Sequence, residues 1–297
     1  MTGRTRSLWL LHGVVVIFGF TGILGKLITL DAEPLVFWRV SLGGVSTALY
    51  LAWRREWRRW APRDLAQAAG VGCIVAAHWV TFFAAIKVSS VGLALTMLAT
   101  APLFIGFIEP LVFCRKLAWR ELLVASAVFV GIATVFQAER DQVDGMVLGL
   151  SSAALAAMFN TFNGVLVKRL DPVNLSAVEL LSASAAMLLW LVWRGQAGPE
   201  LFVMSAEDWL WMTLLAVVAT SFAFVVSIQV LKNLTPFESA MAINLEPLYA
   251  IVLAWWMFGE RFSPGFYVGA AVVLGAVFLD SWWRARTQST ANNDDAI

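Results

Sequence analysis

The chain has 297 residues, 60% of them hydrophobic and 14% charged, with a mean hydropathy of +0.77 and a formal net charge of +1. A soluble domain carries about 45–50% apolar and about 25% charged residues, so this balance is that of an integral membrane protein. The near-zero net charge excludes the bulk basic character of a nucleic-acid binder.

A membrane helix needs roughly 20 mostly apolar residues, and ten segments qualify. The first, 8–28, follows a basic start, and its apolar run is too long for a signal-peptide core. The others are 34–53, 65–86, 90–113, 118–138, 146–167, 175–193, 208–231, 235–258 and 264–283. Connections are short. Those around 54–64 and 194–207 have room for short interfacial helices. The polar tail 287–297 reads as disordered and cytoplasmic. With the N-terminus cytoplasmic, 15 of the 21 lysines and arginines fall on the cytoplasmic side, so charge bias places both termini there. Of 15 tryptophans, 14 lie near a helix end or in a connection; Trp79 is the exception.

The chain repeats itself. "SVGLALTMLATAPLFIGFIEPLVFCRKLAW" from Ser90 aligns with "TPFESAMAINLEPLYAIVLAWWMFGERFSP" from Thr235, which sets Pro102 against Pro247. "FGFTGILGK" (18–26) aligns with "NTFNGVLVK" (160–168). Each half holds five helices. An odd number reverses the second half in the membrane, giving an inverted-topology repeat of the kind common in secondary transporters. The units are 1–140 and 141–286. The fold class is therefore all-α integral membrane, with ten transmembrane helices in two inverted five-helix repeats.

Three stretches carry a family resemblance: "AAIKVSSVGLALTMLATAPLF" (84–104), "LTPFESAMAINLEPLYAIVLAWWMFGERFSP" (234–264) and "GAAVVLGAVFLD" (269–280). Over nearly its whole length the chain resembles the drug/metabolite transporter superfamily with paired EamA-type domains, and within it most the YddG-type exporters of aromatic and other neutral amino acids. The resemblance implies a transporter of the inner (plasma) membrane that works by alternating access, with helices 3 and 4 and helices 8 and 9 as gates. It departs at one turn: Cys114-Arg115-Lys116 stands where the second half has Gly259-Glu260-Arg261.

Glu246 sits about eleven residues into a 24-residue apolar segment. A charge at that depth costs at least ~2.5–3.5 kcal/mol on insertion scales, so it should face a cavity or another helix. Pro247 cannot donate a backbone hydrogen bond and releases the carbonyl of Ile243; Pro102 does the same for Leu98. Matched breaks point to a hinge or a binding site. Helical spacing places Tyr249 beside Glu246, with Asn244 round the far side and suited to bonding across a helix interface. Further candidates for the cavity wall are His78, Trp79 and Phe82, the amides Asn160 and Asn163, and the hydroxyls Thr96 and Thr100. The competing role for His78 is that of a core histidine bonded to a backbone carbonyl, for Trp79 that of a lipid-facing ring, and for the amides that of hydrogen bonds between helices. Lys26 and Arg39 read as side chains that snorkel outward.

No catalytic set, metal motif or cofactor motif emerges. Cys73 and Cys114 are no CxxC pair and read as small apolar packing residues. The expected partners are a small-molecule substrate and the lipid bilayer, with protons as a candidate coupling ion. The function read from the chain is export of aromatic and neutral hydrophobic amino acids. Proton-coupled efflux of cationic compounds is the rival, with Glu246 as counter-ion. An intramembrane enzyme is a weaker one, for want of a nucleophile–base pair. Nucleotide sugars are disfavoured because no Lys or Arg is read at mid-helix depth.

Overall fold

The computed structural model describes residues 3–112, 119–243, 245–276 and 278–279. Cys114, Asn244 and the tail 287–297 lie outside the described residues. The elements are α1 (Gly3–Leu27), α2 (Ala32–Arg54), α3 (Pro62–Val88), α4 (Val91–Leu98), α5 (Ala101–Val112), α6 (Trp119–Ala138), α7 (Val143–Leu166), α8 (Pro172–Trp193), α9 (Ala206–Ala216), α10 (Ala223–Val230), α11 (Pro236–Ile243) and α12 (Glu246–Phe258). A last helix, α13, spans Pro264–Ala276. Among the described residues there is no strand.

Among the described residues, seven rods are long and apolar enough to cross a membrane. One is α4 with α5; another is α9 with α10, joined through a π-turn at Val217–Phe222. Three shorter apolar helices, Leu123–Ala138, Glu246–Phe258 and Pro264–Ala276, fall on the remaining expected segments. The connection after α2 is irregular until Pro62 opens α3, and 194–205 holds one 3-10 turn at Pro199–Phe202. The first therefore forms no helix, and the second only this short 3-10 one.

Local chemistry sets the ends. Ser90 accepts the Leu93 N–H at 3.2 Å, Asp171 the Asn174 N–H at 3.1 Å, and Ser205 the Asp208 N–H at 3.0 Å. Each thereby caps an orphan donor in a first turn. Burial raises the Asp171 carboxyl, but hydrogen bonds from Asn174 and the nearby Arg58 and Lys232 outweigh it and hold it below the usual aspartate value. Gly259, at φ +65°, ends α12 in the left-handed conformation that glycine adopts without strain.

Pairing across the two halves follows a pattern. Arg4 pairs with Glu238 and Lys26 with Glu260, each at 2.5 Å and each 234 residues apart, so α1 runs parallel to α11–α12. Three other pairs run antiparallel. In α2 and α8, Ser41 meets Ser184 at 2.6 Å while Trp190 donates to Glu33 at 2.9 Å. In α6 and α13, Gly131 packs on Val273 and Ala138 on Gly265. The broken rod α4–α5 meets the broken rod α11–α12, α4 on α12 and α5 on α11. At Gly72 a Cβ would run into the Glu179 carbonyl, so glycine there lets α3 lie directly on α8.

Candidate functional site

Both proline rods break where the sequence places Pro102 and Pro247. Ala99 and Thr100 interrupt the first; Leu245, in a turn, precedes the second half of the other. At the first break the Thr100 hydroxyl donates to the Met97 carbonyl at 2.7 Å. Between the breaks lies a cavity of about 90 Å³, enough for several waters. Leu98 and Ile243, whose carbonyls the prolines release, both line it.

One wall is aromatic. Trp79 meets Phe224 edge-on at 5.4 Å, Phe224 meets Phe159 at 6.3 Å, and Phe159 meets the His78 ring at 5.3 Å. His78 stacks on Phe82 at 6.4 Å. All five rings line the cavity. His78 Nδ1 lies 2.9 Å from the Ser152 carbonyl and 2.8 Å from its hydroxyl, and that hydroxyl reaches the His78 carbonyl at 3.1 Å. This pattern makes Nδ1 the donor and leaves Nε2 as an acceptor. The ring thus has both the core role, bonded to a carbonyl, and a place in the wall.

The polar groups come from other helices. Glu246 and Pro247 line the cavity at the start of α12, and Asn160 lines it from α7 with its amide donating to Ala156 at 3.1 Å. Glu246 is 5% exposed. The half-helix that it opens favours negative charge at its first turn.

Arg39 corrects the sequence reading. It does not snorkel outward; it is 1% exposed and lines the same cavity. Its Nε donates to the Thr220 hydroxyl at 2.6 Å, and its guanidinium lies over the Trp79 ring at 4.0 Å from the centroid. Thr220 stands in the π-turn of the α9–α10 rod, where its own hydroxyl donates to the Leu215 carbonyl five residues back, at 2.8 Å. Such single π-turns recur at functional sites. Gly43 on α2 packs against Thr220, which brings the two helices close enough for the bond. With Arg39 inside, a buried cation does face the cavity, against the expectation that no Lys or Arg lies at mid-helix depth.

Four expected wall residues lie elsewhere. The Thr96 hydroxyl bonds the Gly92 carbonyl at 2.8 Å, and Thr96 and Thr100 are both fully buried off the cavity. Asn163 donates to Glu179 at 3.3 Å between α7 and α8, so the two amides are split by the 60° that three residues subtend on a helix. Tyr249 is 46% exposed and packs toward Gly19 on α1. Pro102 is buried and is not part of the wall, to which its neighbour Ala101 contributes. Lys26 pairs with Glu260 rather than reaching outward. Cys73 is exposed, not packed inside. Among the described residues no cluster of metal-ligating side chains occurs.

A model of the EamA-like transporter family matches residues 5–137 and again residues 144–282. Over 98% of each chain the protein is 26% identical to "Uncharacterized transporter YwfM" of Bacillus subtilis. It is 23% identical to an "Uncharacterized transporter" of Archaeoglobus fulgidus over 94% of this chain and 98% of that one. A solved structure described as "Crystal structure of protein" superposes with a TM-score of 0.68 over 95% of this chain and 99% of its own, at 14% identity. At that identity the likeness speaks to the fold alone.

Proposed function

This chain belongs to the EamA-like transporter family, and from that premise we propose that it exports aromatic and other neutral hydrophobic amino acids by alternating access. Membership makes it a multi-pass transporter of the plasma membrane and not an enzyme. The cargo, the direction and the topology are our reading.

The observation that carries the cargo is the aromatic wall of Trp79, Phe224, Phe159, His78 and Phe82 around one cavity. Such a surface suits a flat apolar side chain, with a few polar groups to orient the rest of the ligand. We take ten helices in two inverted repeats, 1–140 and 141–286, with both termini cytoplasmic. The twice-matched family model, the antiparallel α2–α8 and α6–α13 pairs and the matched breaks support this arrangement. Substrate binds at the breaks, and Pro102 and Pro247 serve as hinges.

The test is counterflow of labelled phenylalanine and tryptophan into liposomes holding the purified chain. Saturable exchange that weakens in His78→Ala and is not competed by a cationic dye supports the reading. Movement of the dye with no amino-acid exchange overturns it in favour of cation efflux. Running the assay with and without a pH gradient separates proton coupling from facilitated diffusion.

A further inference from the structure

Three helices send polar groups into the cavity that the protein itself leaves unmatched. Arg39, on α2, uses Nε on Thr220 and one face on Trp79. Its Nη1 is buried without a hydrogen-bond partner. Thr21, on α1, lines the cavity with a buried hydroxyl that also has no partner. Glu246, on α12, lines the cavity, and the one interaction of its carboxylate among the described residues is the longer-range attraction of Arg39, with no hydrogen bond. Arg39 and Glu246 attract each other across this space but form no salt bridge within 4.0 Å among the described residues, so the hydrogen-bonding groups of both stay open to a ligand. Buried charges left unpaired are costly. A ligand that matches them recovers that cost, and one with a single charge does not.

We propose that Arg39 receives the carboxylate, and Glu246 the ammonium, of a zwitterionic substrate, with the Thr21 hydroxyl as a third contact. This rests on the amino-acid reading above and names the two residues that recognise the head group. The fixed guanidinium presents its remaining N–H donors to a carboxylate, the pairing to which its planar fork is matched. Glu246 accepts from the ammonium, whose three donors reach a carboxylate in many orientations. The pair together is neutral, so an amine leaves Arg39 unmatched and an acid leaves Glu246 unmatched. The aromatic wall then takes the side chain, which sets selectivity apart from head-group recognition.

The experiment competes labelled-phenylalanine counterflow with phenylalanine, phenethylamine and 3-phenylpropionate. In the unaltered protein each single-charge analogue should compete roughly tenfold or more weakly than phenylalanine, the loss of about one charge-assisted contact. Arg39→Gln should erase the penalty on phenethylamine and keep the penalty on 3-phenylpropionate; Glu246→Gln should do the reverse. Arg39→Lys and Glu246→Asp keep the charges and should keep the ranking at weaker apparent affinity. Where a Gln variant is not monodisperse, ligand-induced thermal stabilisation of the Lys and Asp variants is read instead, with the same ranking expected. Phenylalanine exchange that does not distinguish the three compounds, or variants that shift all three alike, would overturn the clamp and leave the transport reading standing. If no aromatic amino acid is exchanged, the cargo reading fails by itself. Leucine is then tested by thermal shift against its amine and acid analogues. Preferential stabilisation by leucine keeps the clamp, and none overturns it.

Discussion

Lys26 Nζ stands 2.5 Å from Glu260 Oε1, and the same carboxylate accepts the backbone N–H groups of Val91 and Gly92 at 3.2 Å each. One side chain on the turn after α12 therefore ties the end of α1 to the start of α4. The carboxylate sits at the positive end of α4, where negative charge is favoured. Nearby, Thr29 holds Asp208 at the start of α9 through its N–H at 2.8 Å and its hydroxyl at 2.7 Å. In the proposed topology this end faces the cell exterior, and we read these bonds as its closure.

Glu260→Gln should loosen that closure. Lys26 is partly exposed, so the pair is worth about 1 kcal/mol, roughly a fivefold shift in the balance of open and closed states. A cysteine at Ala99, in a chain with Cys73 and Cys114 replaced by serine, should react several-fold faster with an impermeant thiol reagent added outside. Unchanged labelling would show that Glu260 is not a latch.

Helix contact at Gly72 is a question of space. An added Cβ meets the Glu179 backbone, which cannot move without shifting α8. Gly72→Ala should destabilise by about 1–3 kcal/mol, the usual cost of overpacking. Gly70→Ala should be near neutral, because nothing lies within 4 Å of that position. Melting of the two variants in detergent checks the contrast.

The cap of α8 predicts a pH effect. Asp171 has its carboxyl held low, so its contribution to stability is present above the ordinary aspartate value of 3.8 and fades as pH falls through the lowered one. Asp171→Ala should cost about 1 kcal/mol at neutral pH. The melting gap to the unaltered protein should stay flat on acidification until pH drops below that ordinary value, then close. A gap that varies around neutral pH would assign the effect to another group.

Thr220 positions Arg39 and touches no ligand in this account. Thr220→Val keeps the volume and removes the acceptor from Arg39 Nε. The apparent KM should rise roughly tenfold with little change in maximal rate. Thr220→Ser should restore it. A fall in maximal rate at constant KM would place Thr220 in the conformational cycle instead.

The membrane class, the apolar segments and the two helix breaks were legible because they rest on local features: long apolar runs and prolines that cannot donate. His78, Trp79, Phe82, Asn160 and Glu246 stood out as polar or bulky intrusions at mid-helix depth, and all five line the cavity. Arg39 was passed over because a long side chain seven residues from a helix start can reach water. Its depth, about 10 Å from Ala32 at 1.5 Å per residue, was the signal against that. What it needed, Trp79 and Thr220, lies 40 and 181 residues away in the chain, and spacing along one helix says nothing of either. Thr96, Thr100 and Asn163 were misplaced for a related reason. A hydroxyl in an apolar helix satisfies itself on the preceding turn, and an amide takes the nearest buried carboxyl, here Glu179. Tyr249 lies three residues after Glu246 in the same half-helix, about 60° off its direction, and that offset turns it from the cavity toward Gly19 on α1.

The most direct test asks whether the cargo occupies the cavity. Ser227 lines it, and Ser227→Cys, with Cys73 and Cys114 replaced by serine, places a thiol there. Phenylalanine should slow the labelling of that thiol several-fold, with half-protection at the concentration that half-saturates counterflow. Transport of phenylalanine with no protection at Ser227→Cys would contradict the account, because the substrate would then cross by another path.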